Sequence, residues 1–581
     1  MKTSIMKTSK KKLFVFSLFL YALFLPGCKA STESEDTAFA AFTNQLFCQE
    51  VSSNTISLHY TLKNPSSYGL EYVPISYGTL STDITQTSAS IENYHSALHA
   101  FDFKQLSSEN QLTYKILDFY LETSALGTKY YLYQEPLSPT IGIHAQLPIL
   151  LSEFSFSSSQ DVGTYLQLLG TTDTYFQTII DFETAKSKAG LFMSDAQAEE
   201  VITQCNAFVT MEENNYLYST FDTRVNALSD ISASEKKSYI STNKELIETK
   251  VFPSYHFLID SLETLMGTGT NQKGLCFLPD GKSYYEYLVR QTVGVSDSIS
   301  TLQERTKTQI LEDLSSMEEI IFPASASEQT SLLDSASPSS MLNDLKTKST
   351  KAFPEIPSVQ TDIKYVPTDM QEYLSPAFYM IPAIDDYQNN VIYINQGQIF
   401  DSLSLYTTLA HEGYPGHLYQ TIYFHAKHPD PVRSILDFGG YVEGWATYTE
   451  MMAYYMAPLS EMEATLLQKN QSLILGLYAY ADMGVHYDGW SQTDLNRFFS
   501  TYGITDPLVL ESIYHLIIGT PTNYLKYYLG YLEIYDLKKE IAGELQTKFS
   551  QIDFHEAVLS AGPAPFDIVN EFVRHKLLSD N

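Results

Sequence analysis

Between Thr407 and Gln420 the chain reads TTLAHEGYPGHLYQ, which packs His411, Glu412 and His417 into seven residues. Imidazole is a common zinc ligand, and a carboxylate beside it can act as a base. In the simple motif HExxH, two histidines at i and i+4 share a helix face, bind zinc and leave the intervening Glu as base. Here the histidines are six apart, which places them about 120° apart around a regular helix. They reach one metal only if the helix is distorted between them. Pro415 and Gly416 supply a cause. Proline has no N–H and collides with the carbonyl four residues back, that of His411, and glycine relaxes the backbone after it. The stretch therefore reads as HExxH with a two-residue insert that bulges the turn. The competing reading makes these histidines loop residues or satisfied core groups.

A catalytic zinc has three protein ligands and one open position, so a third ligand must come from elsewhere. Glu443 in YVEGWATYTEMMAYY is the best candidate, 26 residues after His417 and flanked by Val442, Trp445 and Ala446. A loop (HPDPVRSILDFGG) between two helices would return it against the histidines. Glu450 lies seven residues on, on the same helix face, and reads as a carboxylate that orients a histidine from behind. His425 and His428 follow the motif but sit near Asp430-Pro431, at a frayed helix end. Zinc lowers the pKa of a bound water, and Glu412 would take that water's proton. The developing oxyanion needs a further donor, for which the Tyr-rich C-terminal segment offers candidates.

The elements that position these groups are mostly helical. Helix-period patterns cover much of 37–126 and 162–265, and Tyr284 to Ile321. A Ser-Asp cap opens MSDAQAEEVITQ. The clearest strand is Asn390 to Asn395, just upstream of the helix with His411. It is either an edge able to hold an extended peptide or one strand of a small hairpin.

HEGYPGH followed by EGWATYTE resembles the bacterial family called domain of unknown function 885, whose pattern is HExxPGH and then EGWxxYxE. The resemblance extends to DMGVHYDGW (Asp482 to Trp490), PTNYLKYYLGYLEI (Pro521 to Ile534) and FHEAVLSAGPAP (Phe554 to Pro565), and is specific over about 390–581. It implies a mainly α, multi-helical zincin-like metallopeptidase fold with a small β-sheet next to the active-site helix. His411, Glu412 and His417 match the metal motif, and Glu443 matches the glutamate of EGW. His486 and Tyr527 match a family histidine and tyrosine, which suggests them as transition-state or substrate donors. The family's Gly-Gln is Thr522-Asn523 here and its Lys is Tyr528, which puts substrate contacts in that loop in doubt. His555, just after the expected cap Asp553, reads as structural.

The chain has 581 residues, 44% of them hydrophobic and 18% charged, which fits a globular protein and excludes a disordered one. A net charge of −32 argues against nucleic acid and anionic lipid as partners. Lys2, Lys7, Lys10, Lys11 and Lys12 precede an apolar run from Leu13 to Leu25, too short for a typical membrane span and suited to a signal peptide. Leu25-Pro26-Gly27-Cys28 resembles a bacterial lipobox, with Cys28 lipidated. The remaining Cys48, Cys205 and Cys276 are either buried thiols or one disulfide plus a free thiol. The expected organisation is a signal peptide at 1–27, a tether at 28–45, an N-terminal helical region at 46–335 that walls a cleft, and a catalytic region at 336–581.

These features together suggest an extracytoplasmic lipoprotein, held to the membrane by its N-terminal lipid, that binds one Zn2+ per chain and hydrolyses short peptides. The alternatives are a zinc amide hydrolase acting on a cell-wall substrate and a peptide-binding lipoprotein without catalysis. The preference for zinc over manganese or cobalt rests on ligand type.

Overall fold

The computed structural model describes residues 32–139, 141–320, 331–366, 368, 371, 375–399 and 401–579. The signal segment and Cys28 lie outside the described residues. The chain is mainly helical, with one three-stranded sheet. The first described helix, Thr32–Val51, already occupies most of the stretch expected to be a tether. Its Phe39, Leu46 and Phe47 are buried in the core, which explains why it folds back instead of hanging free.

The helices start where side chains can satisfy their free N–H groups. Ser194 and Gln197 form a capping box on Asp195–Thr210, and Ser107 caps Ser108–Gly127. Gly294, at φ 78°, ends Gly281–Val293, so the helix expected from Tyr284 to Ile321 is two helices, the second being Ile299–Glu318. Among the described residues, no helix is long and apolar enough to cross a membrane.

The largest hydrophobic core joins Leu117 and Val293 with Leu342, Trp445, Tyr528 and Val569. It crosses position 336, so the expected boundary there does not divide the packing. A second core gathers helices of the N-terminal half around Phe176, Phe221 and Leu258, and Tyr393 of the sheet joins it. Helical segments separated by more than 200 residues thus bury one another's apolar faces.

The sheet comprises β1 (Gln360–Tyr365), β2 (Ala377–Met380) and β3 (Asn389–Ile394), in the order β1-β3-β2. β3 is the strand expected from sequence, but it is central, parallel to β1 and antiparallel to β2. Both of its sides are paired, so it offers no edge to a peptide. The edge near His411 belongs to β2. Asn395 N–H donates to Pro376 O, and the antiparallel alternation then turns the amides of Ala377 and Tyr379 outward. The cysteines Cys48, Cys205 and Cys276 are all free, and only Cys205 is fully buried.

Candidate metal centre

Asp401 opens the helix Ser402–Glu412 by accepting a hydrogen bond from Ser404 N–H at 2.8 Å. The helix ends at Glu412, and a new one, His417–Ala426, begins after Gly416. The insert therefore breaks the helix in two, where the sequence suggested a bulge within one. Two wide hydrogen bonds bridge the break, Gly416 N–H to Ala410 O at 2.9 Å and Tyr419 N–H to Gly413 O at 3.1 Å. Gly416 is obligatory: a Cβ there would lie 1.8 Å from the His411 carbonyl oxygen. The break is held from the side by Trp445, whose indole N–H donates to Pro415 O at 2.9 Å.

Trp445 sits on the helix Gly439–Met456, next to Gly444. This helix crosses Asn523–Leu545 at very short range, because a Cβ on Gly444 would meet the Gly530 backbone at 2.3 Å. The close crossing brings Glu443 of the first helix and Tyr527 of the second to the same place. The Tyr527 ring lies 6.3 Å from that of His411, and its hydroxyl interacts with Glu443.

At this junction His417 Nε2 lies 3.3 Å and His411 Nε2 3.6 Å from Glu443 Oε2. One donor atom from each of the three residues falls within 4.8 Å of the others. Glu450 Oε2 lies 3.0 Å from His411 Nδ1, so His411 presents its Nε2 to the cluster. The four side chains are 12–19% exposed, so the cluster is partly buried. Glu412 turns toward the sheet, where its Oε2 accepts from Tyr379 N–H of β2 at 2.8 Å.

The charges are strongly shifted. Burial would raise the Glu443 pKa, but His411, His417 and Lys526 outweigh it and hold the carboxyl well below its usual range. Burial likewise opposes a charge on His411, and Glu443 and Glu450 reverse that, raising its pKa well above the usual value. In Glu412 burial wins over the two histidines and the Tyr379 N–H, and the pKa is raised. Tyr527 is raised by burial first and by Glu443 second. Two imidazole nitrogens and a carboxylate kept ionised are one of the donor sets found in catalytic zinc sites, and these residues could hold a metal ion.

Lys526 was not singled out in the sequence. Its ammonium lies 3.5 Å from Glu443 Oε1 and 5.0 Å above the Tyr527 ring. With Glu443 it lines a cavity of about 500 Å³ whose walls include Phe119, Tyr120, Asp437 and Phe438. A signal was present: Lys526 adjoins Tyr527 in the segment already flagged, near the family lysine that this chain lacks at Tyr528.

The structure does not bring His486 to the centre. Its Nδ1 accepts from Leu275 N–H at 3.2 Å and its Nε2 donates to Ile517 O at 2.8 Å. With both nitrogens used and burial lowering its pKa to about 4, it braces three segments, and the donor role expected for it is corrected. Neighbouring Asp482 is similarly committed, accepting from the Tyr285 hydroxyl and Thr522 N–H. His555 is structural, as read. It donates to Ala352 O at 2.7 Å, accepts from the Tyr448 hydroxyl at 2.8 Å, and stacks on Phe353. His425 is buried beside Tyr387, with its pKa lowered to about 4 by burial, and His428 takes a left-handed turn at φ 52°. Neither joins the cluster.

Fold and centre thus define a helical protein with a His-His-Glu cluster beside a small sheet. The chain belongs to the family of bacterial proteins of unknown function named DUF885, whose model matches residues 80–573. Two solved structures share the fold. One is a predicted lipoprotein from Colwellia psychrerythraea, with a TM-score of 0.81 at 19% identity, covering 95% of this chain and 100% of that one. The other is a predicted lipoprotein of unknown function from Shewanella oneidensis, with a TM-score of 0.59 at 16% identity, covering 94% and 99%. No curated protein matches the chain in sequence.

Proposed function

We propose that the chain is a zincin-like metallopeptidase that hydrolyses short peptides. The observation that carries this reading is the convergence of His411, His417 and Glu443 beside the buried carboxylate of Glu412. His411, His417 and Glu443 would hold the ion, and zinc bound there would activate a water and polarise the scissile carbonyl. Glu412 takes the proton of the attacking water and passes it to the leaving amine. A carboxylate whose pKa is raised by burial is a better proton acceptor than a free one. Tyr527 donates its hydroxyl to the oxyanion as it develops. Glu450 fixes the ring of His411, and Lys526 steadies the far oxygen of Glu443. On β2 the outward amide of Ala377 can align an extended substrate, one of the two roles read for β3, while Tyr379 N–H is held by Glu412.

The lipobox-like Cys28 and the lipoprotein descriptions of the two structural relatives support an extracytoplasmic, lipid-anchored location. A non-peptide amide substrate is the alternative within the same chemistry. A purely peptide-binding role has no need of a base at Glu412. The deciding experiment measures metal content and peptide hydrolysis of the purified chain before and after chelation. About one zinc at this centre, with activity lost on chelation and restored by zinc, supports the enzyme. Bound zinc with no hydrolysis across a broad peptide library, but with turnover of cell-wall amides, moves the substrate to the alternative. No hydrolysis of either kind favours the binding protein.

A further inference from the structure

A second group of donors stands on the N-terminal helices, where one atom each from His95, His99 and Asp118 lies within 4.8 Å of the other two. We propose that these residues form a separate binding site for a divalent transition metal of the zinc type, with His95 Nε2, His99 Nε2 and Asp118 Oδ1 as ligands. The site does not depend on the activity proposed above.

The two histidines lie four apart at the end of the helix Thr85–Leu98, with His99 as its C-cap. Residues at that spacing share one helix face, the same arrangement by which HExxH presents two imidazoles to zinc. Asp118 comes from the facing helix Ser108–Gly127. Its Oδ1 lies 2.8 Å from His95 Nε2 and 2.6 Å from His99 Nε2, and the two rings are 4.3 Å apart. Both imidazoles therefore aim the same nitrogen at one carboxylate oxygen. Tyr114, one turn before Asp118, lies nearly parallel to His99 at 6.5 Å and 22°. Among the described residues no Lys or Arg pairs with Asp118, so its charge is left to the imidazoles.

A tetrahedral zinc about 2.0–2.2 Å from its ligands sets them roughly 3.3–3.5 Å apart. Each imidazole nitrogen needs to draw back from Asp118 Oδ1 by only about 0.5–0.9 Å, within the freedom of side chains 25%, 51% and 42% exposed for His95, His99 and Asp118. That exposure also gives a metal ion direct access and leaves a fourth position to water. A bound cation would tie the helix Thr85–Leu98 to Ser108–Gly127. The residues after Asp118, Phe119 and Tyr120, line the cavity beside Glu443. The site is thus placed to brace one wall of that cavity from outside.

The test is zinc titration of the full chain in a His411→Ala, His417→Ala background, followed by calorimetry and metal analysis. One zinc per chain is expected to remain, with a thermal midpoint that rises on adding zinc because the ion binds only the folded chain. Adding His95→Ala and His99→Ala is expected to abolish both effects. Asp118→Asn, which keeps the helix packing, should weaken binding by about tenfold or more. No zinc in the first background, or zinc that survives loss of His95 and His99, overturns the proposal. Should the quadruple variant fail to fold by circular dichroism, the otherwise wild-type chain gives the same answer. It should bind two zinc ions, and His95→Ala, His99→Ala should bind one; an unchanged count overturns the site.

Discussion

His411, partly buried, and His486, fully buried, are histidines of the C-terminal half, and the fold uses them in opposite ways. His486 has a backbone partner on each nitrogen, Leu275 N–H and Ile517 O. It is neutral, fixed in one tautomer, and has nothing left to offer a ligand. His411 has a carboxylate behind it at Nδ1 and turns Nε2 to His417 and Glu443. The difference lies in the partners more than in burial. Backbone groups on both sides consume a histidine, whereas one carboxylate behind it aims and enriches the free nitrogen. His95 and His99 give a third pattern, two rings aimed at one carboxylate near the surface.

The sharpest way to break this comparison is Glu412→Gln. It should leave metal content unchanged and lower kcat by about 10²–10⁴-fold, read by hydrolysis of a peptide library; surviving activity would remove Glu412 as base. Glu443→Ala comes next. It should lose the ion of this centre, whereas Glu450→Ala should weaken binding there by about 10–100-fold. Equal losses in the two variants would erase the distinction between ligand and orienting carboxylate. Tyr527→Phe should lower kcat by about 10²–10³-fold with little change in KM, and an unchanged kcat would take it out of the mechanism. His486→Ala should keep the metal but destabilise the chain by about 2–4 kcal/mol, since two buried backbone groups lose their partners. Metal loss in that variant, with the fold intact, would contradict its role as a brace.

The smallest effect is on the pH dependence of stability. Burial lowers the pKa of His144 and His486 from 6.5 to about 4, and that of His555 to about 3. Between these values the unfolded chain binds more protons than the folded one, so stability is present above pH 6.5 and falls as pH drops through 4. Asp482 acts in the other direction. Its pKa is raised by burial from 3.8 to about 7, so its contribution is lost as pH rises through 7. His59 and His425 are likewise lowered to about 4, and Glu183 is raised to about 8, so among the groups shifted furthest five histidines stand against two acids and their net slope is positive over the shared window. Thermal midpoints should therefore climb from pH 4 to 6.5, and His486→Asn should flatten that climb. A flat profile in the parent chain would show these histidines to be hydrated.

Much of the centre was legible because its chemistry is local in sequence. HEGYPGH places two imidazoles and a carboxylate within seven residues, and a Pro-Gly pair inside a helical pattern announces a break. EGW offered Glu443, and the seven-residue step to Glu450 kept both acids on one helix face. The fold class was legible for a similar reason, since helical periodicity and caps are written along the chain. β1 and β2 were not, because short strands carry little period of their own and form only where β3 gives them hydrogen-bond partners.

His486 could not be judged from sequence, because the groups that use up its nitrogens lie 211 and 31 residues away. The same holds for the tether, since the burial of Phe39 and Phe47 depends on distant helices. The close crossing at Gly444 and Gly530 was visible only as two glycines, and without it neither Tyr527 nor Lys526 has a place in the site. The amino-acid sequence by itself determined which groups could bind metal or move protons, because that capacity belongs to side-chain type and local spacing. Tertiary structure alone decided which of them have a free nitrogen or oxygen turned to a common point, because distant backbone and side-chain partners claim the rest.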